Sequence, residues 1–231
     1  MKNEFDAYQH TYSCAVNKAL GGLAPGLHDK FTEYKARLIF QYLQRTMSDP
    51  KHAAVLDVGC GIGSTDTCLL RDIEQVHGVD VSEALLTVAR NANARGNYKS
   101  YDGLRLPYED GHFDMTFAIC VLHHVPQAGR NHFIKEMARV TKVGGSVLVF
   151  EHNPINPFTR CVVSRCEFDV GVKLVWPATL RRMIKSTRLD IVQRQFIIFS
   201  PFFDGTCRCL EKWLAGVPIG AQYYLAMQKT L

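Results

Sequence analysis

Residues 53–63 read Ala53-Ala54-Val55-Leu56-Asp57-Val58-Gly59-Cys60-Gly61-Ile62-Gly63. A short continuous apolar run with a glycine turn behind it reads as a buried parallel strand entering a helix. Glycines at alternate positions let the backbone turn tightly and let a ligand approach without a Cβ in its way. A dinucleotide-binding turn wants G-x-G-x-x-G, and Ser64 stands where the last glycine would belong. Asp57 is a second departure. A carboxylate there repels a pyrophosphate and suits a cationic ligand.

Working outward, the alternation continues. Residues 64–71 read as a helix, 75–80 as a strand, and 83–95 as a helix stopped by Gly96. Residues 113–120 form a strong apolar strand, 131–140 a helix, and 146–150 a further strand behind Gly144-Gly145. Two late strands, 190–199 and 222–228, are expected to pair as an antiparallel edge. Strands alternating with helices mean βαβ units, a parallel sheet and helices on both of its faces. Ligands of such sheets bind beyond the carboxyl ends of the strands. Asp57, Asp80, Cys120 and Glu151 all stand at such ends, so the chemistry is expected along one rim.

Upstream, Phe31, Tyr34, Leu38 and Tyr42 recur at helical spacing, and Ser48-Asp49-Pro50 ends the helix. Residues 1–50 read as an N-terminal helical cap on a core of residues 51–231, within one structural domain. Residues 153–177 break the pattern with Pro154, Pro157 and Pro177 and read as a lid or substrate insertion.

Bulk properties narrow the function. The chain has 231 residues, 47% hydrophobic and 21% charged, which suits a folded α/β domain. Its net charge of +5 is mild and spread out. The densest basic run, Arg181, Arg182, Lys185 and Arg188, reads as one helix's wet face, so a nucleic-acid partner is not expected. The eight cysteines invite a disulfide framework. The length and a polar start carrying Glu4 and Asp6 argue instead for a reduced, cytoplasmic protein. No apolar run reaches the length of a membrane span. The Cys207-x-Cys209 pair lacks a second pair at zinc spacing, so no metal is expected.

Three acids follow one another at successive strand ends: Asp57, Asp80 and Asp102. Asp80 lies about twenty residues past the glycines, where an acid accepts both ribose hydroxyls. Asp102 is placed to accept from an adenine amino group. The ordered set VLDVGCGIG, GVDVS, YDGLRLPYEDGHFDMTFAICVLHHV and GGSVLVFEHNP resembles the class I S-adenosylmethionine-dependent methyltransferases over residues 50–152. The resemblance implies a Rossmann-like three-layer α/β sandwich whose seven-stranded, mostly parallel sheet has an antiparallel last strand. It implies that Asp57, Gly59, Cys60, Gly61, Ile62 and Gly63 hold the methionine end of S-adenosylmethionine. Asp80 would hold the ribose, and Asp102 with Gly103 the adenine, with Val81 also among the cofactor-binding residues. Cys120 would line the methyl-donor site. In the N-terminal aromatic segment, Tyr12 would contact the cofactor's carboxylate, against a plainer packing role. Lys35 and Arg37 could serve that carboxylate too, but read first as a solvated helix face.

Methyl transfer from a sulfonium is an in-line displacement, and the protein chiefly aligns donor and acceptor. A base is required only where the acceptor must lose a proton. His123, His124, Glu151 and His152 are the ionisable groups at that rim, and histidine suits neutral pH. Phe158, Arg160, Arg165, Phe168 and Trp176 in the insertion suit a planar, anionic or sugar-like acceptor. Phe202, Phe203, Trp213 and Pro218 suit an apolar chain, and both segments could serve a homodimer contact. The expected reaction moves a methyl group to O, N or C of a small molecule, leaving S-adenosylhomocysteine. RNA or protein methylation is the rival reading. Amino-group methylation of bases usually uses Asn/Asp-Pro-Pro-Tyr/Phe after this strand, where the chain has Cys120-Val121-Leu122-His123. A cofactor-binding but inactive regulatory subunit is the alternative of another class.

Overall fold

The computed structural model describes residues 6, 18–20, 26–200 and 213–231. Its centre is a seven-stranded sheet: β1 (Ala54–Val58), β2 (Gln75–Asp80), β3 (Asn97–Ser100), β4 (Phe113–Ile119), β5 (Thr141–His152), β6 (Leu189–Ile197) and β7 (Gln222–Lys229). The spatial order is β3-β2-β1-β4-β5-β7-β6. Pairing is parallel from β3 across to β5, and β7 runs antiparallel to both β5 and β6. The expected sheet and its antiparallel last strand are therefore present.

Strand alternation sends side chains to two cores. On β5, Val147 and Val149 join one apolar cluster, and Leu148 and Phe150 join the other. On β7, Tyr223, Leu225 and Met227 face the first, and Tyr224 and Ala226 the second. The first core is covered by α4 (Arg130–Val140) and α6 (Pro177–Ile184), through Ile134, Met137, Leu180 and Ile184. The second is covered by α1 (Leu27–Thr46) and α2 (Ser64–Leu69), through Ile39, Leu43 and Leu69. Helix α3 (Glu83–Ala92) packs Leu86 and Ala89 on Cys60 and Tyr98. Each fully buried aliphatic or aromatic side chain contributes about 1.5–3 kcal/mol, so two full cores suffice for one domain.

Three expectations change. Strand β3 went unread because it is an edge strand with only Tyr98 buried among polar neighbours. Strand β5 starts at Thr141, ahead of the expected 146, with a register shift opposite Asp114 that accommodates Gly144-Gly145. The insertion, read as an irregular segment, contains helix α5 (Pro157–Arg165) and a 3₁₀ turn at Glu167–Asp169. Asn156 caps α5 by accepting from Thr159 N, and Pro157 opens it, where a missing N–H costs nothing.

That insertion is fastened. Asn153 donates to the carbonyls of Pro218 and Gly220, and Thr159 to that of Ala221. Its far end is held by Arg130 on Lys173 O and by Tyr223 on Val175 O, each at 2.8 Å. No helix among the described residues is long and apolar enough to cross a membrane.

Candidate active site

The carboxyl ends of the parallel strands meet at one rim, and a cavity of about 180 Å³ opens there. One wall is the glycine turn. Gly59, Gly61 and Gly63 all take positive φ, at 82°, 54° and 72°. A Cβ on Gly61 would meet nothing within 4 Å, so the space in front of this glycine is open. The turn is braced from outside by Asp80, whose Oδ2 accepts from Gly61 N and whose Oδ1 accepts from Ser82 N, both at 2.9 Å.

Behind the turn lies a pair of buried acids, Asp57 on β1 and Asp66 on α2. The two carboxyls lie against each other, and Asp66 also against the Tyr98 hydroxyl. Burial raises both, Asp66 to about 7, and Asp57 is raised further by the charges of Asp66 and Asp80. Burying the charged form of a carboxylate is expensive, and a cationic ligand in the cavity offsets that cost. Lys35 of α1 is 8% exposed and lines the same cavity. The expected solvated face is thus corrected for Lys35 and holds for the exposed Arg37. α1 packs on α2 beside the turn and carries the Lys35 stem inward. A ligand with an ammonium, a sulfonium and a carboxylate, as in S-adenosylmethionine, fits this donor set.

The acid pair gives a stability test. The folded chain holds its proton near pH 7, the unfolded chain only near the ordinary carboxylate value. Between these values the folded state binds more protons, so stability falls as pH rises. Asp66→Asn removes that residue's share of the slope, and Asp57, raised by its own burial, keeps the rest. In thermal melts without ligand, the variant is expected to gain roughly 1–3 kcal/mol over wild type at pH 8.5, about 2–4 °C for each kcal/mol, and little at pH 5. A variant melting lower than wild type at pH 8.5 contradicts the account.

The far wall carries the three rim histidines. His123, His124 and His152 line the cavity with Asp169, Cys120 and Gln222. Glu151 is fully buried behind them, and its Oε2 lies 2.7 Å from His123 Nδ1. Asp169 Oδ1 is 3.4 Å from His123 Nε2 and 3.2 Å from His124 Nε2. Burial would lower His123, but the Glu151 and Asp169 carboxylates outweigh it and hold the imidazole at about 9. Burial and the neighbouring His123 charge push His152 down to about 4. Cys120 sits at φ 56°, a conformation uncommon outside glycine, and accepts from Gln222 Nε2 at 3.4 Å. Burial raises its thiol to about 12, so it lines the wall as a neutral group.

The remaining expected residues lie along the outer rim. Val81 and Gly103 approach each other, since a Cβ on Gly103 would sit 3.4 Å from Val81 Cγ1. Asp102 is exposed, and its Oδ1 accepts from Leu104 N and Arg105 N, a turn cap that leaves Oδ2 outward. Phe158 and Phe168 line the cavity, whereas Arg160, Arg165 and Trp176 are exposed and stand off it. Tyr12, Phe202, Phe203, Cys207 and Cys209 fall outside the described residues. Asp66, Asp169 and Gln222 had no part in the sequence expectation. Among them only Asp66, three residues past the glycines, carried a local signal.

Residues 56–149 match the family described as Methyltransferase domain. The chain is similar to the methyltransferase GfsG of Streptomyces halstedii, 34% identical over 132 residues, 54% of this chain and 46% of that protein. It is also similar to the tRNA (carboxymethyluridine(34)-5-O)-methyltransferase of Saccharomyces cerevisiae, 31% identical over 137 residues, 58% of this chain and 47% of that one. The matched stretch thus spans just under half the length of these relatives. In fold, the chain is similar to magnesium protoporphyrin IX methyltransferase from Synechocystis PCC 6803, solved with its bound cofactor. That likeness has a TM-score of 0.66 at 14% identity, covering 97% of this chain and 94% of the other.

Proposed function

We propose that this chain, which carries a class I S-adenosylmethionine-dependent methyltransferase domain, methylates an oxygen, nitrogen or carbon of a small molecule held beside the glycine turn. The observation that carries the reading is the cavity itself. The cationic-ligand wall of Asp57 and the glycines faces a wall of His123, His124, His152 and Phe168 across about 180 Å³. Such a space favours a compact acceptor over a polynucleotide laid across a surface.

S-adenosylmethionine supplies a methyl group already activated on sulfur. The chain does the rest by position. The glycine turn and Asp57 receive the methionine end, Lys35 meets its carboxylate, and Asp80 takes the ribose hydroxyls on the oxygens that brace the turn. Val81, Gly103 and the outward Oδ2 of Asp102 form the adenine edge. Cys120 closes the donor side as a neutral wall, and Phe158 and Phe168 exclude water from the acceptor. The histidines of the far wall, with Glu151 behind His123, are the groups an acceptor proton would meet.

Calorimetry with S-adenosylmethionine and S-adenosylhomocysteine tests the donor half, and the absence of binding heat for both defeats the reading. Lys35→Met removes a charge-assisted partner and should weaken cofactor binding about 10–100-fold. Transfer of labelled methyl groups into a metabolite extract, total RNA and cell protein tests the acceptor half. Incorporation confined to RNA, as the yeast relative's name suggests for that protein, replaces the small-molecule reading.

A further inference from the structure

The far wall contains an arrangement that hydrogen bonding leaves unfinished. His123 Nδ1 is held by Glu151 at 2.7 Å, while its Nε2 is buried and makes no well-aligned hydrogen bond. Asp169 Oδ1 stands 3.4 Å from that nitrogen and 3.2 Å from His124 Nε2, at ion-pair distance but out of hydrogen-bond alignment. His152 completes the group: one ligand atom each from His123, His152 and Asp169 lie within 4.8 Å of one another.

We propose that His123, His152 and Asp169 bind a divalent transition-metal ion of the zinc type, with Glu151 orienting His123 from behind. Two imidazoles and one carboxylate are a common ligand set for such ions, with one position left open. Tetrahedral ligands at about 2.0–2.1 Å from zinc stand about 3.3–3.4 Å apart, the spacing seen between His123 Nε2 and Asp169 Oδ1. The Glu151–His123 contact is the carboxylate–histidine pairing that fixes which nitrogen faces a metal. His152 has an outer partner of the same kind. Its Nδ1 is 3.5 Å from the Gln222 amide, whose Oε1 is buried and bondless. Turning that amide over would set a carbonyl oxygen against Nδ1–H. Two carboxylates balance the ion's charge, so both imidazoles stay neutral.

All three ligands line the cavity, so the open position faces the acceptor space. The acceptor class this favours offers an oxygen ligand, such as a hydroxyl or carboxyl. That consequence rests on the methyltransferase reading, whereas the ion site does not.

The test is Zn²⁺ titration of the chelator-treated chain by calorimetry, with Co²⁺ as a visible-absorption probe. One ion per chain is expected. His123→Gln and Asp169→Asn should each reduce affinity at least about 100-fold, and Glu151→Gln about 10–100-fold. The Cys207→Ser/Cys209→Ser double variant should bind as wild type does. The Co²⁺ spectrum should show nitrogen and oxygen ligands without a thiolate charge-transfer band, a readout that survives should a histidine variant fail to fold. No binding by the folded wild type, undiminished binding by Asp169→Asn, or a thiolate band overturns the proposal. Cofactor binding measured on the same samples separates the two failures. A chain that binds S-adenosylmethionine and no ion loses only the metal, and one that binds the ion and no cofactor loses only the methyltransferase reading.

Discussion

Asp80→Ala is expected to lower the affinity for S-adenosylmethionine by at least about 100-fold, read by calorimetry. The carboxylate has two jobs on the same atoms. It accepts from Gly61 N and Ser82 N, so it shapes the glycine turn. On the proposed reading, the cofactor's ribose hydroxyls would donate to the remaining lone pairs of the same oxygens. Alanine leaves both amides without this acceptor and removes the ribose partner. Each lost hydrogen bond to a charged group costs about 1.5–3 kcal/mol, and about 1.4 kcal/mol is a factor of ten. Asp80→Asn keeps one acceptor oxygen and should fall between. An Asp80→Ala protein that folds, by circular dichroism, and still binds the cofactor at wild-type strength removes the ribose assignment.

Arg130→Met should be the most destabilising single change on the acceptor side. The guanidinium is 5% exposed and donates to three backbone carbonyls: Val125 and His123 on the β4–α4 connection, and Lys173 in the insertion. One planar group thereby ties the loop bearing His123 to the segment bearing Asp169. Methionine fills the volume and satisfies none of the carbonyls. The expected loss is roughly 3–5 kcal/mol, or about 10 °C in melting temperature. Arg130→Lys should rescue little, because a point charge cannot reproduce the fork. Since Arg130 stands away from the glycine turn, the folded fraction should bind cofactor normally. A melting temperature within a degree or two of wild type shows that the tie is dispensable.

The glycine turn and the acids around it were legible as a group because they are local. Asp57 to Gly63 are contiguous, and the chain's direction through a parallel sheet puts Asp80 and Asp102 on the same rim. The acceptor half is assembled from distant positions, with Asp169 delivered by a 3₁₀ turn and Gln222 by the antiparallel strand. The strand ends bring residues 123, 151 and 152 to one rim, but no spacing rule adds residues 169 and 222 to them. For Lys35 the sequence favours a solvated face over a place in the cavity for a related reason. Helical periodicity separates an apolar face from a polar one but cannot tell water from a polar cavity. Strand β3 was missed because an edge strand with one buried residue has almost no apolar signal to offer.

The position of β7 between β5 and β6 has a consequence for folding. Until Gln222 to Lys229 pair, β6 has no neighbour in the sheet and β5 presents a bare edge. Five of the seven strands can assemble without β7, but Gln222 then has no place opposite His152. A bare strand edge is a template for pairing with another chain, so the chain is most open to aggregation before that one strand docks.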